Sequence, residues 1–266
     1  MVRTNTGNIL AEIVAARRLR LQSAKEATPL AVLERRVAAA PPPRDFPAAL
    51  KSQRSGANII AECKKASPSE GLLRAEFNPA ALARDLEAAG ACALSVLTEP
   101  DSFQGSLEYL SEARAAANLP VLCKDFIFDP YQLTEARVAG ADAFLLIVAI
   151  LTPDLLRELI ARGAELGMAA LVEVHTAAEI DVALEAGANI IGVNNRDLAS
   201  MQVRLDTSLE LIEYIPESCV KVAESGLRTA QDIQRLRAVG FNAFLMGTTL
   251  MRAEDPGAAL RDLMKE

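Results

Sequence analysis

Six side chains able to move or orient protons stand at or just past the ends of short apolar runs: Glu62, Lys64, Lys124, Glu173, Asn194 and Glu224. A carboxylate in such a place is costly unless it is paired, and lysines on neighbouring run ends can supply the partners. Three glutamates with two lysines have the makings of an acid–base site. A lysine there is partly desolvated, which lowers its pKa and suits it to proton transfer. For any one of the glutamates the competing reading is a static salt bridge. Asn194 can orient a hydroxyl or a carboxylate without adding charge.

A second group suits an anion. Glu224-Ser225-Gly226 and Gly247-Thr248-Thr249 follow the last two apolar runs. Glycine lets backbone amides approach an anion closely, and the hydroxyls add donors. Ser225, Gly226, Gly247 and Thr248 are therefore candidate phosphate contacts. Arg196 reads either as an anion clamp or as the partner of Asp197. Phe103 and Phe126 can flank a flat aromatic group or pack in the core. His175, the sole histidine, is expected in a solvated loop, and Lys65 at the surface.

The elements that must position these residues are eight apolar runs: 59–62, 94–97, 121–124, 143–148, 170–173, 190–194, 220–224 and 243–247. Continuous runs of this length are typical of strands buried on both faces of a parallel sheet. Eight of them alternating with helical patterns imply the α/β class and a closed (β/α)8 TIM barrel, whose active site lies at the C-terminal strand ends. Helix starts are marked by Asn78-Pro79, Ser106, Asp129-Pro130, Thr152-Pro153, Thr176, Thr207 or Ser208, Thr229 and Asp255-Pro256. Gly90, Gly140, Gly187 and Gly240 mark helix ends. An open dinucleotide-binding sheet would need a glycine-rich turn after the first strand, and none is present.

Ahead of the first strand, residues 1–50 read as an N-terminal helical extension of a single 1–266 barrel domain. Helices are expected over 8–25, from Thr28-Pro29 through Val37, and at Phe46 to Leu50 behind an Asp45 cap.

With 266 residues, 51% of them hydrophobic, the chain can fill one barrel core. A net charge of −7 without a long basic stripe argues against nucleic acid. Four scattered cysteines lack metal-ligand spacing, so no metal is expected and reduced core thiols are. No leader or membrane span is recognisable, which makes the cytoplasm the expected setting.

The chain resembles the indole-3-glycerol phosphate synthase family in AECKKASPS (61–69), TEPDSFQGS (98–106), KDFIFDPYQ (124–132), LLIVAILT (145–152), LVEVH (171–175), IGVNNRDL (191–198), VAESGL (222–227) and FLMGTTLM (244–251). The resemblance implies closure of an indole ring from a phosphosugar-anthranilate substrate, without cofactor or metal. It implies Lys124 as general acid, Glu173 and Lys64 in further proton transfers, and Glu62 and Asn194 as orienting groups. Glu224 would help hold the site. Ser225, Gly226, Gly247 and Thr248 would take the phosphate. Phe103, Phe126 and Leu145 would line the anthranilate side, with Ser67 and Arg196 among the substrate contacts. Glu70 departs from the family pattern in the first loop, where an acid can alter loop pairing or anion affinity. Other phosphate-binding barrels, such as phosphoribosylanthranilate isomerase or a non-catalytic assembly subunit, fit less well. The isomerase usually employs a Cys/Asp pair, and an assembly subunit would be expected to lose charged strand ends.

Overall fold

The computed structural model describes residues 9–52, 56–197 and 200–265. Asn8 and Leu198, which belong to the expected first helix and to one family motif, lie outside them.

Eight parallel strands close into a barrel: β1 (Asn58–Cys63), β2 (Ala93–Leu97), β3 (Val121–Lys124), β4 (Ala143–Ile147), β5 (Ala169–Val174), β6 (Ile190–Asn194), β7 (Val220–Glu224) and β8 (Ala243–Met246). Each pairs with the next, and β8 returns to β1. The apolar runs are buried on both sides because the barrel interior and the helical ring each cover one face. Register sets the polar ends at one rim. Leu97 pairs with Lys124, Ile147 with Glu173, and Asn194 with Glu224.

The intervening helices start where capping chemistry requires. Asn78, Ser106, Asp129, Thr152, Thr176, Thr229 and Asp255 each accept a backbone N–H of the first turn. Gly90, Gly140, Gly187 and Gly240 close their helices at φ of 102°, 98°, 92° and 111°, where a side chain would be strained.

Two starts differ from the sequence expectation. The helix Asp206–Leu211 begins one to two residues early and lacks a side-chain cap, because the Ser208 hydroxyl instead donates to Asn195 Oδ1 at 2.8 Å. The helix Leu30–Ala39 has Pro29 at its cap position rather than Thr28. The Thr28 carbonyl accepts the Tyr131 hydroxyl at 2.7 Å.

The N-terminal extension brackets the barrel. The helix Phe46–Lys51 contacts β1, β2 and β7 and buries Phe46 and Leu50 completely. Asn58 Nδ2, at the start of β1, donates to the carbonyls of Leu50 and Asn242, so this helix seals the N-terminal mouth. The helix Ile9–Ala27 lies across the opposite rim. Three ion pairs fix it there: Arg17–Asp125 at 2.8 Å, Lys25–Asp129 at 2.6 Å, and Arg20–Asp101.

All four cysteines are free and buried, as expected. Burial pushes the thiols of Cys63 and Cys123 up to about 12, so both stay protonated and unreactive.

Packing between ring and barrel is close at Gly163 in the helix Pro153–Glu165, where an added Cβ would sit 2.2 Å from the Phe144 ring. We expect Gly163→Ala to destabilise by about 1–3 kcal/mol, read from urea unfolding. Adding Phe144→Leu should recover part of the loss.

Candidate active site

A cavity of about 590 Å³ opens at the C-terminal strand ends. Lys124 stands at its floor. Its Nζ lies 3.0 Å from Glu173 Oε2 and 3.2 Å from Glu224 Oε2, and its side chain is 15% exposed. Glu62 makes a separate pair with Lys64 Nζ at 2.7 Å. Asn194 Nδ2 donates to Glu173 Oε1 at 2.9 Å, and Asn194 Oδ1 accepts the Arg196 N–H at 3.0 Å. The first asparagine thus fixes both a carboxylate and the loop that follows β6.

Two glycines make room for these carboxylates. A Cβ on Gly192 would lie 2.1 Å from Glu224 Oε1, and one on Gly247 would lie 2.2 Å from Glu62 Oε1. Gly247, expected from the sequence as an anion contact, gives the Glu62 carboxyl its place.

The charges depart from the sequence expectation in one respect. Burial alone would lower the pKa of Lys124, but Glu173, Glu224 and Glu62 outweigh burial and raise it above the ordinary lysine value. Lys124 is a protonated donor. Glu173 is also buried, which would raise its pKa; the charge of Lys124 and contacts from His175 and Asn194 hold it below the usual carboxylate range. Glu224 goes the other way. Burial dominates, the neighbouring Glu173 adds repulsion, and its pKa rises to about 7. Its Oε1 is buried with no hydrogen-bond partner, a fitting place for a carboxyl that holds its proton part of the time.

One wall is apolar. Phe103 and Phe126 have ring centroids 6.1 Å apart at 39°, and both line the cavity with Leu145. Residues that sequence reasoning missed complete this wall. Ile9, Leu10 and Ile13 of the first helix face the cavity. Glu99, fully buried, accepts the N–H groups of Asp101, Ser102 and Phe103 at 2.9, 2.7 and 3.1 Å and so shapes the loop that carries Phe103. Asp125 receives both Arg17 donors at 2.8 and 2.9 Å, the Thr98 hydroxyl at 2.6 Å and the Phe126 N–H at 2.8 Å. The signal for Asp125 was its place directly after Lys124. Its partner, 108 residues away, left no local trace.

The opposite wall comes from the loops after β7 and β8, where Ser225, Gly226, Gly247 and Thr248 line the cavity together. Ser225 takes φ of 66° and Gly226 of 81°. The first is unusual for a non-glycine residue and turns the chain sharply beyond Glu224. Thr248–Arg252 forms a short extra helix directly after Gly247.

Ser67, on the first loop, is buried at the cavity with its hydroxyl unpartnered. A two-residue antiparallel ladder, Ala66–Ser67 with Gly71–Leu72, stiffens this loop, and Glu70 pairs with Arg252 across the mouth. The loop acid is thus tied to the helix after β8. Arg196 faces the cavity and donates from its guanidinium to the Met201 carbonyl at 3.2 Å. His175 contradicts the solvated-loop expectation: its side chain is 12% exposed and sits between Glu173 and Glu179.

Comparison with known proteins settles the family. The sequence model described as indole-3-glycerol phosphate synthase matches residues 10–263. The chain belongs to the indole-3-glycerol phosphate synthase family. Indole-3-glycerol phosphate synthase of Aromatoleum aromaticum is 46% identical over 258 residues, covering 96% of this chain and 98% of that protein. That of Polaromonas is 47% identical with the same coverage. Membership makes the chain a carboxy-lyase of tryptophan biosynthesis. Among solved structures, a mandelate oxidase superposes with TM-score 0.61 at 16% identity, covering 88% of this chain and 90% of that one. A 3-hexulose-6-phosphate synthase from Salmonella typhimurium gives 0.61 at 15%, covering 78% and 96%. At such identities these two likenesses concern the barrel fold alone. No described helix is long and apolar enough to cross a membrane.

Arg17→Met would leave Asp125 buried without its ion-pair partner. We expect a loss of about 3 kcal/mol, measured by thermal or urea unfolding, with Arg17→Met/Asp125→Asn more stable than Arg17→Met alone.

Proposed function

We propose that the cavity closes the indole ring of 1-(2-carboxyphenylamino)-1-deoxyribulose 5-phosphate, releasing indole-3-glycerol phosphate, carbon dioxide and water. The observation that carries this is Lys124, a buried ammonium paired to two carboxylates between an aromatic wall and a wall of Gly, Ser and Thr. The phosphate would sit at Ser225, Gly226, Gly247 and Thr248. The anthranilate ring would lie against Phe103, Phe126 and Leu145, with Ser67 and Arg196 as further polar contacts.

In this reading Lys124 protonates the ketose oxygen as the arene carbon attacks the carbonyl carbon. Loss of carbon dioxide from the ring restores its electrons. The new hydroxyl then leaves as water, with Lys64 supplying a proton and Glu173 accepting one. Glu62 holds Lys64, Asn194 holds Glu173, and Glu224 shares Lys124. Holding arene and carbonyl in contact is largely an entropic contribution. Exclusion of water by the first helix and the first loop strengthens the field of Lys124 at the developing oxyanion. A cytoplasmic setting belongs to the same proposal.

Indole fluorescence during incubation with the substrate tests the reaction, and silence from folded protein would reject it. Lys124→Ala should lower kcat by at least about 100-fold, the scale of lost general-acid catalysis, with KM largely kept. Because the neighbouring carboxylates raise Lys124 above the ordinary 10.5, turnover should show no loss from its deprotonation below that pH.

A further inference from the structure

His175 is absorbed by neither the fold nor the reaction as described, yet it touches both. It stands two residues beyond Glu173, just past the end of β5. Its Nε2 lies 3.4 Å from Glu173 Oε1, and its Nδ1 lies 3.4 Å from Glu179 Oε2. Glu179 is anchored. Its Oε2 accepts the His175 backbone N–H at 2.6 Å, and its own N–H donates to the Thr176 cap at 3.2 Å.

Neither ring nitrogen makes a well-aligned hydrogen bond. The ring is held by charge rather than by directional contacts, and an imidazole enclosed by two carboxylates is most stable as a cation.

We propose that His175 is a positioning residue: an imidazolium locked between Glu173 and Glu179 that keeps Glu173 ionised and aimed during proton transfer. Glu173 then sits between two cations. Oε2 faces Lys124 of β3 at 3.0 Å, while Oε1 faces His175 and accepts Asn194 of β6. The charged groups facing the imidazole are Glu173 from β5 and Glu179 from the helix Ala177–Glu185, and Glu224 of β7 lies beyond Lys124. Burial of the ring pulls its pKa down, but the two carboxylates reverse this and carry it from 6.5 to about 10. This proposal rests on Glu173 as a proton carrier.

The chain has a single histidine, so one imidazole C–H resonance reports it without assignment variants. In the wild type that resonance should show no titration between about pH 5 and 8, where an unperturbed histidine titrates. In Glu179→Gln the midpoint should fall, and kcat should acquire an alkaline loss with that same midpoint while KM holds. His175→Gln should lower kcat at every pH with KM kept; Glu179→Gln, which retains the ring, covers the case in which His175→Gln does not fold. A wild-type midpoint near 6.5, or flat turnover through the lowered midpoint of Glu179→Gln, would overturn the role of His175. Full turnover in Glu173→Gln would instead overturn the Glu173 reading and this proposal with it. The wild-type titration, read without any assay, separates the two failures.

Discussion

A single ammonium inside a barrel sets the terms for everything around it. Taking Lys124 out of water costs several kcal/mol unless opposite charge waits for it. Glu173 and Glu224 at 3.0 and 3.2 Å provide that charge. Two carboxylates on one ammonium leave an excess negative charge, and the site distributes it unequally. Glu173 receives His175 and Asn194 in addition and stays ionised, whereas Glu224 keeps one oxygen unpartnered and is pushed toward holding a proton. Identical side chains two strands apart thus acquire opposite protonation tendencies from their surroundings.

That distribution needs geometry that only the closed barrel provides. Strand register brings Asn194 level with Glu224 and places Glu173 opposite Gly192. Gly192 must lack a side chain for Glu224 to fit, and Gly247 must lack one for Glu62. The β3 end is held from outside as well. Asp125, immediately after Lys124, gathers Arg17, Thr98 and the Phe126 amide, so docking of the first helix and orientation of the Lys124–Phe126 segment are one structural event. The extension that first reads as a preamble is part of the site's frame.

Much of this was legible in the sequence. The eight runs, the polar strand ends and most caps depend on near neighbours, and period and capping chemistry are local properties. That lysines and glutamates would meet at one rim followed from topology once the barrel was inferred; which glutamates meet Lys124 did not. What escaped depends on how loops fold and on which distant segments meet. Arg17 meets Asp125 across 108 residues. Glu99 is buried because three amides of its own loop surround it. His175 read as solvated although Glu179 is only four residues on, because the spacing did not show that its ring would be enclosed between Glu179 and the strand-end Glu173. The expected lowering of the Lys124 pKa failed for the same reason: burial is visible in an apolar run, but the number of carboxylates converging on one nitrogen is not.

The unequal walls of the cavity explain why so few polar groups suffice. Phe103, Phe126 and Leu145 on one side and Ser225, Gly226, Gly247 and Thr248 on the other would, in the proposed reading, give a long substrate one orientation. In the proposed reading, once its anionic end and its flat end are sorted, the reacting carbon would lie over Lys124. Binding at the two ends would then substitute for binding at the centre. The central charges would be left free to respond to the transition state rather than to the ground state, which is where stabilisation accelerates chemistry.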